Sequence, residues 1–231
     1  MDLLGSTDHS AQVQERLVRL PGVYRPQEDT RLLQEALSEE QLGRGQEVLD
    51  IGTGTGAVAL RAAATGARVT AVDVALAAVV AARLNAWLRR LPLRVLHGDF
   101  AARGSGNGYD LVLANPPYVP SPERELPSRG PGLAWDAGRD GRAVIDRICA
   151  LAPVLLRPGG VLLLVHSALC DSDRTLDRLE RAGVRGHVTA RRRVAWGPVL
   201  RSRRAWLQER GLAAPGEQWE ELVVVRARNA V

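Results

Sequence analysis

The chain has no lysine: of its 231 residues 31 are basic, and every one of them is arginine. So complete an absence reads as a GC-rich coding background, and part of the arginine content therefore carries no functional meaning. Cysteine is almost as scarce. Cys149 and Cys170 each sit in an apolar context, which excludes a disulfide framework and suggests small buried hydrophobes in a reducing cytoplasm. Long hydrophobic runs are missing too. The longest, such as Val161 to Val165, fall far short of the roughly 20 residues of a membrane span, so no membrane role is expected. Met1-Asp2-Leu3-Leu4 places an acid early and no basic stretch ahead of an apolar one, which argues against a secretory signal. The remainder has a globular balance, 45% hydrophobic, with length for one sizeable core and too little for two.

The net charge is +5 and the pI about 10.1. Arg191-Arg192-Arg193 crowd together with Arg201, Arg203 and Arg204 near the C-terminus. This cluster, Arg191 to Arg204, suits phosphates of a nucleic acid or an acidic protein surface, with a merely solvated face as the competing reading.

Along the chain, strand-like apolar runs alternate with helical patterns. Leu32, Leu33, Ala36 and Leu37 lie on one face of a helix predicted over Glu28 to Leu37, ended by Gly43 and Gly45. Glu47 to Ile51 is a buried strand, and Gly52-Thr53-Gly54-Thr55-Gly56 leads into a helix over Ala57 to Ala64. Further strands are expected at Arg68–Val74, Leu93–Leu96, Tyr109–Ala114, Val161–Val165, Val184–Val194 and Leu222–Arg228. Helices are expected at Ala75–Arg90, Ala143–Leu156, Asp171–Ala182 and Arg203–Arg210. Pro158-Gly159-Gly160 reads as a helix stop, and residues 119–140, rich in proline, glycine and charge, as a long substrate-side loop. Five or so βα units with continuous apolar strands imply a parallel sheet covered by helices on both faces, with a hairpin-like antiparallel last strand. No linker divides the chain, so residues 1–231 are expected to form a single α/β domain whose residues 1–45 are a helical segment ahead of the first strand.

Ligands in such sheets bind beyond the carboxyl ends of the strands. The turn at Gly52, Gly54 and Gly56 belongs there. By itself it is weak, because Gly52-x-Gly54-x-x-Ala57 with Asp73 also satisfies a dinucleotide fingerprint. Asp50 separates the readings: a carboxylate at that strand end suits a cationic amino-acid ligand and repels a pyrophosphate. Asp99 with Phe100 beside it suits the amino group and face of an adenine. Helix capping or a turn role is the plain alternative for each acid alone, yet three acids stand at the ends of successive strands.

Asn115-Pro116-Pro117-Tyr118 follows the fourth strand. Proline forces Asn115 into an extended conformation and removes N–H donors. The Asn115 side-chain carbonyl and the Pro116 main-chain carbonyl then form a pair of fixed acceptors suited to an –NH2 group, and Tyr118 offers a flat face for a conjugated system. Such a nitrogen is a poor nucleophile; accepting its N–H groups enriches and aligns it, and orientation is worth as much as roughly 7–11 kcal/mol. His97 and His166 are conceivable proton acceptors, though a lone histidine in a strand is more often structural.

With these motifs in place the sequence resembles the class I methyltransferases, and within them the HemK-type protein-glutamine N5-methyltransferases. Asp-x-Gly-Thr-Gly-Thr-Gly at 50–56, Asn-Pro-Pro-Tyr at 115–118, residues 22–30, residues 134–142 and Glu221 to Arg226 carry the resemblance, which is to the compact branch without a helical N-terminal domain. The resemblance implies a Rossmann-like fold of seven strands and S-adenosyl-L-methionine as cofactor. It implies cofactor contacts at Thr30, Asp50, Gly52, Gly54, Gly56, Asp73, Val74, Asp99, Phe100 and Asn115, catalytic roles for Asn115, Pro116 and Tyr118, and no metal. Glu28 and Asp29 would close over the methionine end. The implied substrate is the glutamine of a release-factor Gly-Gly-Gln tip, with a small activator subunit as a further partner. Adenine-N6 methylation of nucleic acid and methylation of a biosynthetic small molecule remain alternatives.

Overall fold

In the computed structural model, which describes residues 17–103, 108–123 and 125–230, the apolar runs become strands β1 (Glu47–Ile51), β2 (Arg68–Asp73), β3 (Leu93–His97), β4 (Tyr109–Ala114), β5 (Leu156–Ser167), β6 (Val184–Ala195) and β7 (Trp219–Asn229). Helices α1 (Glu28–Ser38), α2 (Ala57–Ala64), α3 (Leu76–Leu88), α4 (Ala143–Leu155), α5 (Ser172–Arg181), α6 (Pro198–Ser202) and α7 (Arg204–Glu209) connect and cover them. The strands lie in one sheet in the order β3-β2-β1-β4-β5-β7-β6. β1 to β5 pair in parallel, and β7 inserts antiparallel between β5 and β6.

Handedness then fixes the layers. From β1 through β2 to β3 the chain steps one way across the sheet, and from β4 to β5 it steps the other way. Right-handed crossovers place α2 and α3 on one face and α4 on the opposite face. Val48, Leu49, Leu113, Leu163, Leu164 and Val224 are almost fully buried between the layers, as continuous apolar strands require. β6 alternates more and less exposed positions as an outer edge strand does. Among the described residues, no helix is long and apolar enough to cross a membrane.

Several boundaries differ from the sequence pattern. β5 starts at Leu156, because the expected stop at Pro158-Gly159-Gly160 is absorbed in the strand opposite a register shift between Tyr109 and Leu111. The helix expected over Arg203–Arg210 spans Arg204–Glu209, and a further short helix, opened by Pro198 at a position that needs no N–H, precedes it over Pro198–Ser202. Of the expected N-terminal helical segment, residues 1–16 lie outside the described residues and 17–27 form no helix; among the described residues the first helix is Glu28–Ser38. Residues 119–140 include a short 3-10 turn, Pro131–Ala134, and a bridge between Val119 and Asp136.

Candidate active site

The strand order reverses at β1, between β2 and β4, and there the two helix layers part over the carboxyl ends of the strands. The crevice holds a cavity of about 330 Å³. Thr30, Asp50, Gly52, Gly54, Asp73, Val74, Asp99, Phe100, Asn115, Pro116 and Tyr118, all anticipated from the sequence, line it. Gly56 does not belong to this lining. With φ at 84° it opens α2, and a methyl group on it would stand 3.3 Å from Ala82 Cβ, so its service is close packing of α2 on α3.

Each of the three acids is engaged locally. The Thr53 hydroxyl donates to Asp50 at 2.6 Å. Asp73 receives the Gly54 and Ala75 N–H groups, both at 2.9 Å, and Asp99 receives the Ala101 N–H at 2.8 Å. The turn role considered for each acid singly is therefore present in all three, and all three still face the cavity. Asp50 is 2% exposed. Burial pushes its carboxyl up to about 7; the Thr53 hydroxyl opposes the rise and the Asp73 charge adds to it. Burial likewise raises Asp73, against the pull of its two N–H donors. Asp99 is also paired with Arg147 at 2.6 Å, and the Arg147 guanidinium lies 5.0 Å from the Phe100 ring centroid.

The segment after β4 is held from elsewhere in the chain. Asn115 Nδ2 donates to Thr30 Oγ1 at 3.4 Å, which turns the donor end of the amide toward α1. Asp29, 3% exposed, accepts the Thr30 N–H at 2.6 Å and the Tyr118 hydroxyl at 3.2 Å. Tyr118 is itself only 9% exposed and packs in the core. It is a wall of the cavity anchored at its hydroxyl, where the sequence suggests an open stacking platform. Residues 135–138 strap the segment down: Val119 N–H donates to Trp135 at 2.7 Å, Ser121 N–H to Gly138 at 2.9 Å, and the Cys170 thiol to Tyr118 O at 3.0 Å. The Arg142 side chain, buried beneath the strap, pairs with Asp146 at 2.7 Å and donates to the Cys170 and Asp171 carbonyls. Both cysteines are free and buried. His166 is fully buried and pushed by burial down to about 4, which keeps it neutral.

Tyr24, Arg147 and Glu220 also line the cavity and are not singled out by the sequence. Glu220 is the second residue of β7, ahead of an apolar run, a sign of an acid at a sheet end; Arg147 stands in a helix with nothing in its spacing to mark it. The arginine cluster is mostly consumed within the fold. Arg191 pairs with Glu221 at 2.6 Å, Arg192 with Glu35 at 2.6 Å and Glu28 at 3.3 Å, and Arg203 with Asp136 at 2.6 Å. Arg193 and Arg204 lie over Trp219 and Trp196.

A parallel sheet with an antiparallel β7 between β5 and β6, and a crevice with an acid and a glycine turn at the end of β1, define a class I methyltransferase. The family model of the methyltransferase small domain matches residues 15–126. A protein of Methanocaldococcus jannaschii described as an N5-glutamine methyltransferase is 34% identical over 181 residues, 78% of this chain and 90% of that protein. The mouse methyltransferase HEMK2 is 34% identical, with 71% of this chain and 80% of the relative covered. The release factor glutamine methyltransferase of Deinococcus radiodurans is 42% identical over 139 residues, and there the match spans only 50% of the relative. In fold, the structure of the E. cuniculi Mtq2-Trm112 complex is similar with a TM-score of 0.62 at 23% identity, covering 90% of this chain and 99% of that one. The chain belongs to the HemK family of S-adenosylmethionine-dependent methyltransferases, in agreement with its compact branch.

Proposed function

We propose that this enzyme methylates the side-chain amide nitrogen of a protein glutamine, on a segment of the Gly-Gly-Gln type that release factors carry. The observation that carries the reading is the Asn115 amide. Its nitrogen is turned to Thr30, so its carbonyl oxygen and the Pro116 carbonyl form a donor-free patch against the cavity, matched to the two N–H groups of a carboxamide.

The cofactor half fits S-adenosyl-L-methionine. Asp50 is a buried carboxylate whose charge is penalised by burial, and a cationic ammonium beside it removes that penalty. Asp73 stands where a ribose would be held, Asp99 and Phe100 where an adenine would, and Thr30, Gly52, Gly54 and Val74 border the same space. When bound, the cofactor supplies an activated methyl group on a sulfonium. The chain's own part is to desolvate the acceptor amide, to orient it through Asn115 and Pro116, and to polarise it by accepting its N–H groups. Residues 119–140 form the acceptor-side wall of a single domain working in the cytoplasm. Adenine methylation would call for free basic residues along a phosphate track, and the acid-paired Arg191, Arg192 and Arg203 favour the protein substrate. A small activator subunit fits the exposed stripe of Leu76, Val80 and Trp87 on α3, beside β3 at the sheet edge.

Incubating the protein with labelled S-adenosylmethionine and a release factor bearing Gly-Gly-Gln tests the reading. Label should enter the factor and vanish when that glutamine becomes alanine; label that survives the change excludes glutamine as the acceptor.

A further inference from the structure

Glu220 belongs neither to the acids at the ends of β1 to β3 nor to the segment after β4, yet it lines the same cavity. One of its carboxylate oxygens, Oε2, is buried and finds no hydrogen-bond partner among the described residues. A buried carboxylate oxygen without a donor is costly, and the residue that carries it lines the cavity.

The topology says which end of the crevice this is. Asp99, Asp73 and Asp50 follow or end β3, β2 and β1, and Asn115 follows β4. The next strands outward are β5 and β7. Leu222 is paired with Ser167, the last residue of β5, so Glu220 projects beyond the carboxyl edge of the sheet. It stands two strands past β4, roughly 10 Å at about 4.8 Å per strand, on the side of Asn115 away from Asp50. Its setting is poor in donors: Asp29, Tyr24 and Tyr118 lie near it, the Tyr24 and Tyr118 hydroxyls are both given to Asp29, and Pro116 and Pro117 have no N–H. Burial raises the Glu220 carboxyl, the Ser167 hydroxyl opposes the rise, and Asp29 adds to it. What is missing on this side is a donor, and an extended peptide carries one at every residue.

We infer that Glu220 binds the acceptor peptide: its free oxygen receives a main-chain N–H beside the target glutamine, and this bond sets which residue reaches Asn115. Glycines next to the glutamine leave such an N–H unshielded. The inference rests on the glutamine reading above and names a specificity residue for it.

The test is steady-state methylation of a Gly-Gly-Gln peptide by wild type, Glu220→Ala and Glu220→Gln, with melting temperature and S-adenosylhomocysteine affinity measured on each. Loss of a hydrogen bond to a charged group should raise the peptide KM of Glu220→Ala by about 10- to 100-fold. Its kcat and S-adenosylhomocysteine affinity should stay near wild type. Glu220→Gln keeps a carbonyl acceptor and should recover most of the loss. Replacing each amide flanking the glutamine by an ester should raise KM for wild type at one position, and at that position add nothing for Glu220→Ala. An unchanged KM in Glu220→Ala overturns the inference, as does an ester effect that persists in full in that variant. Should Glu220→Ala melt early, the ester scan on wild type and Glu220→Gln decides alone: no sensitive amide means no such bond. Wild type that leaves every Gly-Gly-Gln peptide unmethylated defeats the glutamine reading instead.

Discussion

Above β1, β2 and β3 the acids are tied mostly within their own or the adjoining turn: Asp50 to Thr53 three residues on, Asp73 to Ala75 and to Gly54 of the turn after β1, Asp99 to Ala101, with an exposed pair to Arg147 besides. Above β4, β5 and β7 the ties run across the chain. Asn115 meets Thr30 at a separation of 85 residues, Tyr118 meets Asp29 at 89, and Cys170 meets Tyr118 at 52. The cofactor half is thus a set of turns that each strand end makes almost alone. The acceptor half exists only once α1, residues 135–142 and the end of β5 have docked. A single change in the first half should act locally. In the second half, a change remote from the chemistry should displace the whole segment.

The largest effect is expected where the acceptor half meets the reaction. Asn115→Ala removes one of the two proposed acceptors, and by analogy with loss of one preorganised polar group kcat should fall about 10²- to 10³-fold. S-adenosylhomocysteine affinity, measured by calorimetry, should fall much less. Full turnover in this variant would remove Asn115 from the mechanism and blur the division between the halves.

Next comes a remote change in the same half. Gly141 has φ at +71°, and a methyl group there would run into the Tyr118 carbonyl and stand 2.8 Å from Cys170 Sγ. Strain and overlap together predict a loss of about 2–4 kcal/mol for Gly141→Ala. Denaturant unfolding would report it. The folded fraction should lose turnover while keeping cofactor-product affinity, because the strap is bonded to Val119, Ser121 and Tyr118 on the acceptor side. Equal losses of both would mean that the halves are one mechanical unit.

A smaller effect, confined to the cofactor half, concerns Asp50. Its folded pKa of about 7 lies above the ordinary 3.8, so the folded protein holds a proton that the unfolded chain has released. Stability from this group is complete below about pH 4 and is lost as pH rises to about 7. An ammonium bound beside it favours the carboxylate, so S-adenosylhomocysteine affinity should rise over the upper part of that window and level off above it. Asp50→Asn should flatten this profile and weaken affinity about 10- to 100-fold at about pH 8. A profile unchanged by the substitution would place the titrating group elsewhere, with Asp73 the nearest candidate.

The same contrast explains how far the sequence can be read. The succession of strands and helices along the chain, the glycine turn and the acids at strand ends follow from short patterns, because each is a local matter of periodicity or turn chemistry. Gly56 is grouped with the cavity glycines in the sequence for the same reason, although it does not line the cavity. The turn pattern is shared by glycines that border a ligand and one that packs a helix, and only Ala82, a full strand and a helix further along the chain, distinguishes them. Tyr118 reads as a free face because its motif is local, whereas its burial depends on Asp29. Arg191, Arg192 and Arg203 look available in the sequence because their acidic partners Glu221, Glu28, Glu35 and Asp136 come from other segments. Arg147 carries no pattern at all and Glu220 only that of an acid ahead of an apolar run; topology brings both to the crevice.

The smallest expected effect concerns Arg147. Its pair with Asp99 leaves the two side chains 48% and 42% exposed, and an exposed pair is worth about 0–1 kcal/mol. Removing the guanidinium frees the Asp99 carboxylate for an adenine amino group, which helps binding. It also uncovers the Phe100 ring over which the guanidinium lies, which loosens the clamp. These consequences oppose one another, so Arg147→Ala should change affinity for methylthioadenosine, a ligand without the charged methionine end, by no more than about threefold. Salt sharpens the test. Screening weakens the exposed pair, so wild-type affinity for this neutral ligand should rise slightly with ionic strength, and the variant should lose that dependence. A loss of about tenfold or more would mean that Arg147 itself holds the nucleoside. The cofactor half would then depend on a helix across the sheet, as the acceptor half does, and its independence from the rest of the fold would be limited to Asp50 and Asp73.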